Sequence, residues 1–311
     1  MDWSSRIGRR LKLRDLHILL TVANCASMTK AARELAVSNP VISKAIAELE
    51  HVAGVRLVER GPRGVELTVY GHALARHGLT VFDELRQAVQ HIEFLSDPTV
   101  GELRIGSTVM LASGLVASVV EALTRRSPRM KFQLIGGETG IVLRALENRQ
   151  IDLVVTRLHD ITLKDDFQTE VLYEEADVVV AGRTNPLARR RSLGLHDLAN
   201  EPWVLPPYDS LYGGVVAEAF RKARMDLPSP TMETLTGPAR LAFAATGRFL
   251  TMVPRSALRG VTKSLPLVIL PIDLQTKRRP VAVVMLRGRT PNPIAPLFVS
   301  EARKLVGRLN T

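Results

Sequence analysis

The chain has 311 residues, 46% of them hydrophobic, enough for about two domains with buried cores. Its 42 Lys and Arg against 31 Asp and Glu give a net charge of +11, which favours an anionic partner such as nucleic acid or an anionic metabolite. The single cysteine, Cys25, excludes an internal disulfide and a thiolate metal cluster, and no apolar run reaches the roughly 18 residues of a membrane-spanning helix.

Residues 1–12, "MDWSSRIGRRLK", are basic without periodicity and form an N-terminal extension: a flexible arm that attracts DNA, or a product of the assigned start codon. "RRLKLRDLHILLTVANCAS" superficially reads as a secretory signal. Its apolar core is short and interrupted by Asp15 and His17, so a basic helix start in a reduced, cytoplasmic protein is the better reading. Leu13, Leu16, Leu19, Leu20 and Ala23 give a first helix. Ser27 is placed to cap a second, "MTKAARELA", with Ala31, Ala32 and Leu35 inward.

A turn at Val37 leads to "SNPVISKAIAELE". Ser38 or Asn39 can cap this third helix, and Pro40 is tolerated in the first turn, where its missing N–H is not needed. Ile42, Ile46 and Leu49 mark the apolar face; Asn39, Pro40, Ser43, Lys44 and Ala47 mark an opposite face of short or polar residues, without an acid until Glu48. Two helices joined by so tight a turn, with Ala at the contacts, match helix-turn-helix geometry. "VRLVERGPRGVELT" adds a hairpin with basic residues at its tip.

From about Val69 to Leu95, Leu74, Val81, Leu85, Ala88, Ile92 and Leu95 recur at alternating spacings of three and four, with Gly78 filling a gap. This heptad seam suits a coiled-coil dimer, although a helix lying on its own domain gives the same stripe. "SDPTVGE" then marks a boundary. Beyond it, "ELRIGS", "GLVASVVEALTRR", "KFQLIGG", "IVLRALEN" and "IDLVVTR" alternate strand and helix, which argues for a mainly parallel sheet. A second alternation runs from "DVVVAG" to "FLTMVP", and "RPVAVVMLRG" with a last helix closes the chain. The expected α/β domain, 97–311, has lobe I at about 102–172 and 274–311 and lobe II at about 173–273, with a ligand cleft at the strand ends.

Residues 13–68 and 102–300 together resemble the LysR-type transcriptional regulators. Ala31-Ala32, Leu35, Ser38-x-Pro40-x-x-Ser43, Ile46, Leu49-Glu50, Leu57, Arg60, Leu67-Thr68 and Gly71 fall where that family's signature puts them, and "ELRIGS", "IDLVV" and "AATGRFLTMVP" fit its effector domain. The resemblance implies a winged helix-turn-helix at 13–68, a linker and dimerisation helix at 69–96, and a two-lobed domain like a type II periplasmic binding protein. It implies that Asn39, Pro40, Val41, Ser43 and Lys44 lie at or near bases and phosphates of double-stranded promoter DNA, with Asn39 standing where the family more often has Gln. Ser27, Thr29 and Lys30, and Arg60 and Arg63 on the wing, suit phosphate contacts.

In the effector domain the resemblance points to Ser107, Thr108, Thr139 and Arg157 as an anion site for a carboxylate-bearing co-inducer, with Tyr208, Ser210 and Tyr212 reaching in from the second lobe. Met110 stands where some relatives have a ligand-binding Ser, and Arg248 is a second cation of the cleft or a surface residue. The family also implies homodimers that pair into homotetramers, bend promoter DNA and contact RNA polymerase. No cofactor or metal is expected. No nucleophile elbow, phosphate loop or His pair on one helix face supports an enzyme. The alternatives are a stand-alone solute-binding protein, which would lack a DNA-reading helix, and an architectural DNA-binding protein, which leaves the sensor unexplained.

Overall fold

The computed structural model describes residues 11–61, 64–159, 163–258 and 264–307. Its first helix, α1 (Leu13–Cys25), turns Leu16, Ile18, Leu19 and Val22 inward and ends at Ala26, which takes a left-handed conformation. Ser27 caps α2 (Met28–Glu34), its Oγ accepting from the Lys30 amide at 3.3 Å. The N-cap of α3 (Asn39–Ala53) is Ser38, whose side chain makes no capping hydrogen bond; Pro40 occupies the first turn. Ile42, Ala45, Ile46 and Leu49 meet Ala31, Ala32 and the α1 residues in one core.

The wing is β1 (Val58–Gly61) paired antiparallel with β2 (Gly64–Leu67). Two contacts fix it. Glu50 Oε1 accepts from the Leu57 and Val58 amides at 2.8 and 3.3 Å, and the Val65 amide donates to the Ala26 carbonyl at 2.9 Å. Thr68 bonds the Arg56 carbonyl and accepts from the Gly71 amide, starting α4 (Val69–Ser96). Residues 1–89 and 90–311 form separate compact units, so the division falls inside α4 and not at its end.

In the second unit, β3 (Val100–Ser107) pairs in parallel with β4 (Arg129–Gly136) and β5 (Leu153–Arg157), while β12 (Arg279–Leu286) runs antiparallel to β5 and β6 (Phe167–Glu175). The sheet order is β4-β3-β5-β12-β6. One face packs on α6 (Ala117–Arg126) and α10 (Ala295–Gly307) through Val119, Leu123 and Phe298. The other packs on α7 (Thr139–Glu147) through Val142 and Leu146. A short α5 (Val109–Leu111) and a π-helical turn, Ala112–Val116, lead into α6.

The second lobe departs from the expected parallel texture. Its central β7 (Asp177–Gly182) pairs antiparallel with both β10 (Thr251–Pro254) and β11 (Leu267–Ile269). β8 (Val204–Leu205) and β9 (Met232–Glu233) pair in parallel, and Trp203 makes a parallel bridge to Leu250. Strand alternation splits β7 between two cores: Val179 and Ala181 face Trp203 and Phe220 of α8 (Leu211–Lys222), and Val178 and Val180 face Leu241 and Ala244 of α9 (Gly237–Ala245). The first crossing between lobes is at Ala176, beyond the expected 172, because β6 continues to Glu175.

Gly71 admits no side chain, since an added Cβ would lie 2.0 Å from the Leu57 carbonyl oxygen. Gly71→Ala should therefore destabilise the N-terminal unit by about 1–3 kcal/mol through overpacking. Gly140→Ala, where the nearest atom is 3.6 Å away, should be neutral or slightly stabilising through helix propensity. Thermal melting followed by circular dichroism distinguishes the two.

Candidate nucleic-acid interface and effector cleft

The side of α3 away from the core is open. Asn39, Pro40, Ser43, Lys44, Ala47 and Glu48 are exposed and Val41 is half-buried. Thr29 and Lys30 are exposed on α2, and the Asn39 amide donates to Thr29 Oγ1 at 3.4 Å, so the two helix starts form one surface. Ser43 Oγ lies 3.8 Å from Met28 Sδ. Ser27 is half-buried, its oxygen already a cap acceptor. Arg60 lies in β1, and Arg63, with residues 1–10 of the basic extension, falls outside the described residues. Glu50 belongs to the signature with no role attached by the sequence; its carboxylate holds the wing's first strand to α3 and so sets where the wing sits beside the exposed face.

The seam residues divide. Leu74 is half-buried against the N-terminal core, and Gly78 packs on Leu16, where a Cβ would approach within 3.0 Å. Further along, Val81, Leu85, Ile92 and Leu95 are 40, 45, 65 and 82% exposed, with Ala88 exposed among them and Val89, outside the heptad spacing, 55% exposed. An isolated helix would leave this stripe in water.

Between the lobes of the second unit lies a cavity of about 290 Å³. Val109, Met110 and Ile141 line it from lobe I, and Tyr212, Leu235 and Arg240 from lobe II. Of the expected effector residues it brings in Thr108, which is N-cap to α5 with its hydroxyl making no cap bond, Arg157 and Tyr212. The remaining hydroxyls have structural partners. Ser107 Oγ, fully buried, donates toward the Val155 and Thr108 carbonyls at 3.0 and 3.2 Å, and Thr139 Oγ1 pairs with Thr156 Oγ1 at 3.0 Å. Tyr208 and Ser210 lie in a different depression, of about 570 Å³. There the Tyr208 hydroxyl donates to the Pro228 carbonyl at 2.6 Å, burial pushing its pKa up to about 12, and Ser210 caps α8. Arg248 is exposed and stacks 5.5 Å over Phe249, so it is a surface residue.

Arg157 is already paired. Its Nη1 and Nη2 each meet a carboxylate oxygen of Asp177 at 2.7 Å, and Glu175 Oε1 is 3.9 Å from its Nε. The guanidinium is 2% exposed, and these acids hold its pKa up against the burial that would lower it. The expected ligand cation is thus part of the lobe crossing, Glu175 and Asp177 flanking Ala176. A second buried cation that sequence patterning does not single out also lines the cleft. Arg240 is 3% exposed, and among the described residues its only hydrogen bond runs from Nη1 to the Met252 carbonyl, 3.0 Å; its Nε is buried without a partner. Burial lowers its pKa to about 10, opposed by Tyr212 and Asp177. The one sequence signal is a lone charge inside the otherwise apolar helix "GPARLAFAA".

Removing Arg157 strands two carboxylates in the protein interior. Arg157→Ala should cost about 3–5 kcal/mol, the usual penalty for breaking a buried pair from one side. Arg157→Ala with Asp177→Asn should recover part of it. Urea titration of the three proteins measures this.

Comparison with known proteins agrees with both units. Residues 13–72 match the model of the bacterial regulatory helix-turn-helix proteins of the lysR family, and residues 96–306 match the LysR substrate binding domain. The regulator GbpR of Azospirillum brasilense is 28% identical over 295 residues, covering 94% of this chain and 86% of that protein. Full-length OxyR from Pseudomonas aeruginosa superposes with a TM-score of 0.68 at 20% identity, covering 96% of each chain. CbnR, solved in complex with its target DNA, superposes with a TM-score of 0.55 at 21% identity over 94% of this chain and 99% of its own. Among the described residues no helix is long and apolar enough to cross a membrane. With a lysR-type helix-turn-helix joined to a substrate-binding domain, the chain belongs to the LysR family of transcriptional regulators, which are not enzymes.

Proposed function

We propose that this regulator reads promoter DNA with the exposed face of α3 and answers to a small anionic effector held in the cleft at Arg240. The observation that carries the effector reading is Arg240 itself: a buried guanidinium that lines the cleft and has no ion-pair partner among the described residues. An unpaired buried charge is costly, and an anion arriving there recovers that cost as binding free energy. A carboxylate suits the planar fork of the guanidinium. The Thr108 hydroxyl supplies a further donor on the opposite lobe.

For DNA, α3 offers what the major groove admits. Asn39 can pair with adenine edges, Ser43 is short enough to approach, and Lys44 with Thr29 and Lys30 of α2 supplies phosphate contacts. The uncovered stripe Val81, Leu85, Ala88, Ile92 and Leu95 supports pairing of two chains along α4, which gives the two reading heads that a two-fold operator requires. Further pairing of the sensor domains would make the tetramer of the family pattern, and the bend it imposes on DNA is the element through which RNA polymerase would feel the effector.

Ser43→Glu should abolish protection of the regulator's own upstream region in footprinting while leaving the melting temperature unchanged. Lys44→Ala should weaken binding and reduce the slope of log K against log salt by about 0.9, one phosphate contact. Equal protection by the Ser43→Glu protein would move the reading face elsewhere. Leu85→Arg should halve the mass seen by sedimentation at micromolar concentration, because a charge set into an apolar seam lacks a partner. An unchanged mass would assign dimerisation to another surface.

A further inference from the structure

Three polar atoms around the interlobe cavity are buried without a hydrogen-bond partner: Arg240 Nε, Arg157 Nε and Glu175 Oε1. All three residues line the same space, and each is 5% exposed or less. Such atoms are few in native proteins, and each one calls for a partner. Arg157 Nε and Glu175 Oε1 lie 3.9 Å apart, too far for a direct hydrogen bond. One atom that both accepts and donates could serve the two at once. A hydroxyl oxygen does so, accepting from the Arg157 N–H and donating to Glu175. An ammonium cannot accept and would meet the guanidinium's charge; a second carboxylate would meet Glu175.

The charges set the rest of the ligand. Arg157 is balanced by Asp177 in a bidentate pair. Glu175 Oε2 is held by the Ser256 amide at 2.9 Å, on the side of the cavity where the lobes cross. Arg240 is bound through Met252 on the α9–β10 side, and no acid pairs with it among the described residues. The cavity therefore presents Arg240, which no acid pairs among the described residues, and the Arg157–Glu175 couple, in which burial pushes the carboxylate towards its neutral form. Val109, Met110, Ile141 and Leu235 line the space with apolar groups. A volume of about 290 Å³ sits at the small end of ligand pockets, room for a single ring or short branched chain.

Resting on the reading of the cleft as an anion-effector site, we infer that the effector is a monocarboxylic acid with an apolar body and a separate hydroxyl. The carboxylate meets Arg240, and the hydroxyl bridges Arg157 Nε and Glu175 Oε1. The cleft thus measures two things about a metabolite: whether it carries one negative charge, and whether its apolar body also carries a hydroxyl.

The test uses the full-length protein and titration calorimetry with four probes: 3-hydroxybenzoate, 4-hydroxybenzoate, benzoate and isophthalate. At least one hydroxybenzoate should bind about tenfold or more tightly than benzoate, the scale of a buried hydrogen bond to a charged group, and isophthalate should bind worst. In Arg240→Met, and in the less disruptive Arg240→Gln, both acids should weaken by about the same factor. In Glu175→Met the hydroxyl's advantage should vanish while benzoate is retained. Circular dichroism melts of each variant exclude simple unfolding. Three results overturn the proposal: a hydroxybenzoate no better than benzoate, isophthalate the best ligand, or no probe binding at all. In the second case loss of isophthalate binding in Arg240→Gln would leave the anion site standing. Binding of any probe unchanged in both Arg240 variants would overturn the anion site too.

Discussion

The effector domain depends on one buried ion pair. Arg157 ends β5 and Asp177 begins β7, so their bidentate contact ties the last parallel strand of lobe I to the first strand of lobe II, with Glu175 and Ala176 between. The pair is local to the crossing, so it fixes the relation of the two lobes at their root. Buried pairs of this sort add little net stability over an apolar substitute, but they fix a geometry. Here the geometry also decides charge. Asp177 takes up both Nη atoms of Arg157, while Arg240 has no paired acid among the described residues.

The N-terminal unit solves a different problem, that of presenting polar side chains on a small frame without letting them fold back. Its core is built largely from Ala and Leu at helix contacts, which brings α2 and α3 close, and the wing is pinned by a carboxylate on the buried side of α3. Glu50 uses its charge internally, and the exposed face carries no acid over its first two turns, up to Glu48. The start of the helix thus offers positive and neutral groups, as a polyanion requires.

Most of this order is legible in the sequence where a pattern has a period. The α3 face, the hairpin, the long helix and the first parallel strands derive from spacings of three, four and two, and the helix-turn-helix signature places them in a family. Chemistry between residues far apart is not legible in the same way. Arg157 at a strand end reads as a ligand residue because Asp177 is 20 positions away and nothing local announces the pair. Thr139 reads as a free helix-start hydroxyl because Thr156 is 17 away. Arg240 escapes for the opposite reason: inside an apolar helix it passes for a solvated residue, and only the fold shows that its side is the cleft side. The antiparallel second sheet escapes because β7 is buried along its whole length and β11 spans only Leu267–Ile269, and buried strands of either direction read as continuous apolar runs.

The π-helical turn Ala112–Val116 stands between residues that line the cleft and residues that fill the lobe I core. Such a turn accommodates a residue more than a regular helix would, and each residue rotates the segment before it by about 100° relative to the segment after it. Deleting one position there would restore a regular helix and swing Val109 and Met110 out of line with the cavity, leaving every core side chain from Val119 onward in place. In this fold, then, a change in length by one residue would reshape the lobe I wall of the cavity as a unit, where a substitution alters one side chain of it.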